Sequence, residues 1–128
     1  AKQYLPKLPI HYVENENAQA GFALMGMMGK GKNSKPEFMA QAQAIKDATM
    51  GWFIAQNLGK GEQMIHFNGT YHSDAQNGII PYLREYRPTT KVSTIRAVRQ
   101  EDISHLDEEY QGLADFYICI PEDMSMSY

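Results

Sequence analysis

From Phe38 to Leu58 the apolar residues recur at helical spacing, whereas from Met64 to Phe67 they sit in a short run that gives way to ligand-type side chains. The first pattern opens with Ser34-Lys35-Pro36-Glu37, a helix start with a cap at Ser34 or Lys35, proline in the first turn and a carboxylate at the positive end of the dipole. Phe38, Ala42, Ile45, Thr49, Trp52 and Phe53 follow at i, i+4, i+7 and predict a core-facing stripe. Met39, Met50, Ile54 and Leu58 fall at other angles, so the helix is predicted to pack on more than one side before Gly59 and Gly61 stop it. Asp47 lies about opposite the main stripe, near Gln43, Met50 and Ile54. It reads either as an exposed helix aspartate or as a half-buried acid that orients a histidine or faces a cavity.

The second pattern predicts a strand over Met64 to Asn68, with Met64, His66 and Asn68 on one face and Ile65 and Phe67 on the other. Gly78 to Tyr86, with Pro81 in its first turn, predicts a short helix. Lys91 to Val98 alternates and is rich in β-formers, which predicts a strand with one polar face. Gln100 to Gln111 reads as a polar surface loop with a turn of helix, and Ala114 to Ile120 as a strand buried on both faces. Ahead of all this, residues 1–34 are irregular: Leu5 to Pro9 is extended by its prolines, and Ala18 to Met28 reads as a short helix fraying into a Gly29 to Asn33 loop.

Strand, helix, strand in this order implies right-handed crossovers and a three-layer α/β architecture, mostly parallel strands with flanking helices. Three strands are few for a doubly wound sheet, so the pattern describes a fragment of one. A single domain is expected over 1–128, with 35–128 forming the α/β part.

Composition narrows the function. A formal charge of −3 with 12 scattered Lys and Arg gives no basic field, so nucleic acid is not expected as a partner. The one cysteine, Cys119, sits in an apolar strand and reads as an inert, buried thiol. No run approaches the roughly 18 apolar residues of a membrane span, and the start lacks a signal-peptide core. The chain is expected to meet a membrane only through an upstream lipid anchor that it does not itself contain.

The candidate chemistry lies in His66-Phe67-Asn68-Gly69-Thr70-Tyr71-His72-Ser73-Asp74, which would emerge at the carboxyl edge of the sheet, where α/β proteins bind ligands. Gly69 would let the backbone turn or approach a ligand. Imidazole and phenolate both ligate haem iron, so one reading is haem binding with Tyr71 or His72 as axial ligand, His66, Asn68, Gly69 and Asp47 around it, and Met25 to Met28 as a cover. The plain alternative makes His66 a hydrogen-bonded core histidine and Tyr71 a packing residue. A second reading is hydrolytic, with His72, His66 and Asp74 holding a divalent metal or, with Asp47, moving protons. The spacing matches no zinc signature and Ser73 stands in no nucleophile elbow, so no catalytic residue is assigned. The third reading is a dimerising binding module, because a split sheet exposes unpaired edges and apolar faces.

Ala42 to Met50, then His66 to Asp74 with Gly78 to Leu83, then Ala114 to Cys119, resemble in order and spacing the carboxyl-terminal half of the ChaN-like haem-binding lipoproteins, related to the Tiki, TraB and erythromycin esterase group. The resemblance runs from about Pro36 to Tyr128. It implies an α/β protein of the bacterial cell envelope linked to haem or iron uptake, with the family's second Gly-x-x-His motif on Gly69 and His72 and its helix acid on Asp47. The Gly-Glu-x-His motif usual in the family's amino-terminal half occurs nowhere in this chain, which implies a site completed by residues it lacks.

Overall fold

In a computed structural model, residues 5–7, 10–15 and 36–125 are described. The predicted helix forms as α1, Pro36–Asn57. It buries a different face from the predicted stripe. Phe38, Ala42, Ile45 and Phe53 are exposed, and the covered face is Ala40, Ala44, Asp47, Ala48, Gly51 and Ala55. The reason is close approach: small residues let α1 lie directly against the second helix, α2, Ile79–Tyr86. A Cβ built on Gly51 would stand 2.9 Å from the Leu83 nitrogen. Hydrophobicity marked the wrong side because the decisive property was side-chain size. Asp47, placed opposite that stripe, is carried inward by the same rotation.

Ala44, Ala48 and Tyr82 form a core cluster between the helices, with Ile10, Val13 and Tyr86 packed against it. The Val13 N–H donates to the Tyr82 hydroxyl at 3.0 Å, which ties the segment 10–15 across both helices. Ile79, Ile80 and Leu83 complete the buried side of α2.

The sheet is smaller than the sequence pattern implied. Strand β1, Ile95–Gln100, pairs in parallel with β2, Phe116–Pro121, in the register Ile95 to Phe116 and Val98 to Cys119. The chain is thus a mixed α/β fragment, with these two strands as its sheet among the described residues. The expected strand at Met64 to Asn68 does not join them: residues 62–69 run without helix, turn or ladder. Its apolar side chains stand in solvent, Ile65 80% and Phe67 91% exposed. β2 was expected to be buried on both faces, yet Phe116 and Ile118 are exposed beside Ile95, and Cys119 is half-buried rather than buried. Among the described residues, one face of the sheet therefore has no helical layer of the kind that parallel strands require.

Polar contacts tie the sheet to the loop before α2 and join the starts of its two strands. Asp74 meets Arg96 at 2.5 Å, the Ala75 N–H donates to the Leu113 carbonyl at 2.8 Å, and the Asp115 carboxylate accepts from the Thr94 N–H at 2.7 Å and the Thr94 hydroxyl at 3.0 Å. Among the described residues no helix is long and apolar enough to cross a membrane. The expected helix at Ala18 to Met28, with its Met25 to Met28 cover, lies outside the described residues.

Candidate functional site

The polar run that follows residues 62–69 folds into two short 3-10 turns, Thr70–His72 and Asp74–Gln76. Asn68 braces the first: its amide donates to the Gly69 carbonyl at 2.8 Å and to the Ser73 hydroxyl at 3.0 Å. The second is strained, with Ala75 and Gln76 at φ of 52° and 58°, the left-handed region that favours glycine. Gly69, singled out by its motif, is at φ −70° and ψ 154°, open to any residue, and a Cβ there would meet only the His72 ring at 3.9 Å. Gly78 carries the real constraint. It sits at φ 64° and ψ −112°, and a Cβ would fall 2.3 Å from the His72 carbonyl oxygen. The missing Cβ lets the His72 backbone lie against the start of α2.

So held, His72 points at α1. Its Nδ1 lies 2.5 Å from Asp47 Oδ1, joining residues 25 apart in sequence. The Asp47 side chain is 3% exposed and that of His72 20%. With Nδ1–H donated to the carboxylate, Nε2 is the acceptor, and the Gln43 amide nitrogen stands 2.7 Å from it and 2.9 Å from Nδ1. Gln43 is one helical turn before Asp47, so both reach the same imidazole. The inward reading of Asp47 is the one the structure shows. Sequence reasoning placed Gln43 near Asp47 and Gly78 at the start of the second helix but gave neither a role at the site; the i, i+4 relation to Asp47 was the sign of Gln43.

Burial raises the Asp47 carboxyl above the ordinary 3.8, and His72 offsets this only in part. Between 3.8 and the raised value the folded chain keeps a proton that the unfolded chain has lost. Stability therefore falls as pH rises through that window and levels off above it. Asp74, raised by burial against the pull of Arg96, adds the same slope. Asp115, lowered by hydrogen bonds from Thr94, acts oppositely, its contribution being lost as pH falls below 3.8. Replacing Asp47 with Asn keeps an acceptor for His72 and removes the charge. Urea midpoints of Asp47→Asn should therefore gain on the natural chain as pH rises above 3.8; a difference independent of pH would refute the assignment.

The metal set His66, His72 and Asp74 is not assembled. Among the described residues no three His, Cys, Asp or Glu side chains could hold an ion. Asp74 is engaged by Arg96, which also stacks 5.3 Å from the Tyr110 ring centroid, and His72 is engaged by Asp47. Nor do His66, Tyr71 and His72 share one hollow. Beside Asp47 and Gln43 there is a pocket of only about 10 Å³, room for about one water. The Tyr71 side chain is 51% exposed, and its carbonyl accepts from the Asn15 amide at 3.1 Å.

His66 and Asn68 line something larger. A cleft of about 630 Å³ lies between residues 61–68 and 89–95. Ile54, Leu58, Ile79, Ile80 and Leu83 supply apolar lining from the helices, and Met64 and His66 stand on one wall. That volume is within the range of cofactor sites, and an imidazole, a thioether and an apolar surface are the groups that hold a flat iron macrocycle.

The profile of the family described as haem-binding uptake, Tiki superfamily, ChaN, matches residues 1–83. The chain belongs to this family. The match to the ChaN family includes α1, Asp47, the Gly69 to His72 motif and most of α2. It also includes the leading segment that the resemblance left aside, and it stops short of both strands. No curated protein and no solved structure matches the chain.

Proposed function

We propose that this chain binds haem in the 630 Å³ cleft, with His66 as the protein ligand to iron and Met64, Ile65 and the helix residues covering the ring. The observation that carries the reading is the coincidence of a cofactor-sized cleft, apolar where the helices line it and polar elsewhere, with an imidazole on its wall, in a member of a haem-binding family. His66 replaces Tyr71 and His72 as the favoured ligand because both nitrogens of His72 have partners in the fold and the pocket beside it is too small. The Asp47 and His72 pair then serves to position the loop that ends the His66 wall. Haem, when bound, supplies the iron; the chain supplies the ligand, the apolar cover and exclusion of water.

A role in haem or iron uptake at the cell envelope is the wider form of the proposal, supported by the family's description. Self-association is its companion, supported by the uncovered Phe67, Phe116 and Ile118, which stand outside the cleft. A hydrolytic reading has one observation in its favour, the buried carboxylate that orients His72 as in general-base pairs. Against it, Gln43 occupies the outward nitrogen.

Titration of haem into the purified chain, followed at the Soret band, tests the proposal. Saturable binding at one haem per chain with a shifted band is expected, with light scattering on the same samples reporting dimers. An unshifted band across the titration would refute it.

A further inference from the structure

The cleft has two chemically different ends, and their placement follows from contacts already described. Asn68 is bonded to Ser73, and the loop from Gly69 to His72 rests on Gly78, so His66, Asn68 and Ser73 stand near the start of α2. Arg87 is the residue that caps the other end of α2. Its guanidinium donates to the carbonyls of Ala55 in the last turn of α1 and of Leu58 just after it, which fixes a positive charge where the wall 58–68 begins. Helix α2 has 8 residues, and at 1.5 Å per residue the two ends are about 12 Å apart. Lys91, exposed, also lines the cleft, and the turn in which the Thr90 N–H donates to the Arg87 carbonyl at 3.1 Å keeps it near Arg87. Glu62 is the one carboxylate in the lining, and it is turned to the Gly59 N–H at 2.7 Å. One end of the cleft thus offers an imidazole, and the far end two cations against a single carboxylate that is bonded to the backbone.

Resting on the haem reading of this cleft, we infer that Lys91 and Arg87 recognise the carboxylates of the ligand, so that the cleft selects a tetrapyrrole with free propionates and fixes which edge enters at the Arg87 end. A neutral apolar ligand would gain nothing from that end. A dianionic one gains charge-assisted hydrogen bonds, shorter and about twice as strong as neutral ones. Arg87 is preset by its carbonyl contacts, whereas Lys91 is free to swing on its four-carbon stem, so Lys91 is the residue whose loss the fold tolerates.

The experiment compares haem with its dimethyl ester, which keeps the iron and the ring and removes both negative charges. Affinities are read from equilibrium absorbance titrations on the full chain and on Lys91→Gln. The full chain is expected to prefer the free acid by about tenfold, and Lys91→Gln to narrow that ratio several-fold. Raising the salt concentration should erode the preference in the same direction. Equal affinities for acid and ester in the full chain, or a ratio that Lys91→Gln leaves intact, would overturn this inference while leaving haem binding in place. Failure of both compounds to bind would overturn the two together.

Discussion

Alanine at position 66 should weaken haem binding by about 100-fold, roughly 2.7 kcal/mol, and move the Soret band to that of a ring without a protein nitrogen ligand. The size follows from what is lost. The cleft's apolar lining, Ile54, Leu58, Ile79, Ile80 and Leu83, survives the change and still removes the ring from water, so binding is weakened rather than abolished. What disappears is the imidazole on the cleft wall. Tyr71→Phe serves as the companion measurement, because Tyr71 does not line the cleft and its contact with Asn15 is through the backbone. It should leave affinity and spectrum within twofold of the natural chain. If instead Tyr71→Phe removed the band shift and His66→Ala did not, the iron ligand would be the phenolate.

The second large effect concerns stability and sets two glycines against each other. Gly78→Ala should cost about 3 kcal/mol or more, because its φ of 64° with ψ of −112° is open in practice to glycine alone and the added carbon would strike the His72 carbonyl. Relief requires the loop to leave the start of α2, and that parts His72 from Asp47. The buried carboxylate would then lack its partner, which adds to the cost. Gly69→Ala, at an ordinary φ and with one contact at 3.9 Å, should change stability by no more than about 0.5 kcal/mol. Urea midpoints of the two variants decide the matter. A larger loss at Gly69 than at Gly78 would mean that the motif glycine, rather than the one beneath the histidine, holds the loop.

That contrast shows what could be read from the chain alone. Both helices were legible, because proline in the first turn, helical spacing and closing glycines act locally. The β-character of β1 and β2 was legible too, though β1 begins at Ile95 rather than Lys91 and β2 at Phe116 rather than Ala114. Three things were not. The buried face of α1 was misplaced because Ala and Gly carry little hydrophobic signal, yet they decide how near two helices can come. Met64 to Phe67 has the composition of a strand, but strand status depends on a neighbour, and no described segment pairs with it. The site divided where the sequence ran continuous. His66 and Asp74 are eight positions apart in sequence, but the turns after Gly69 send His72 to α1 and Asp74 to Arg96 and leave His66 in the cleft. Proximity in sequence therefore overstated proximity in space, and the polar cluster proved to be two structural pairs beside one open imidazole.

The most direct test of the haem seat is proton NMR of the chain loaded with ferric haem, whose unpaired electrons broaden nearby resonances. Broadening is expected to be strongest at Met64 to His66, Ile79, Ile80, Leu83 and Lys91 to Ile95, and weakest at Gln43 and Asp47. Broadening centred on Gln43, Asp47 and His72, with Met64 and His66 unaffected, would contradict the placement of haem in the cleft.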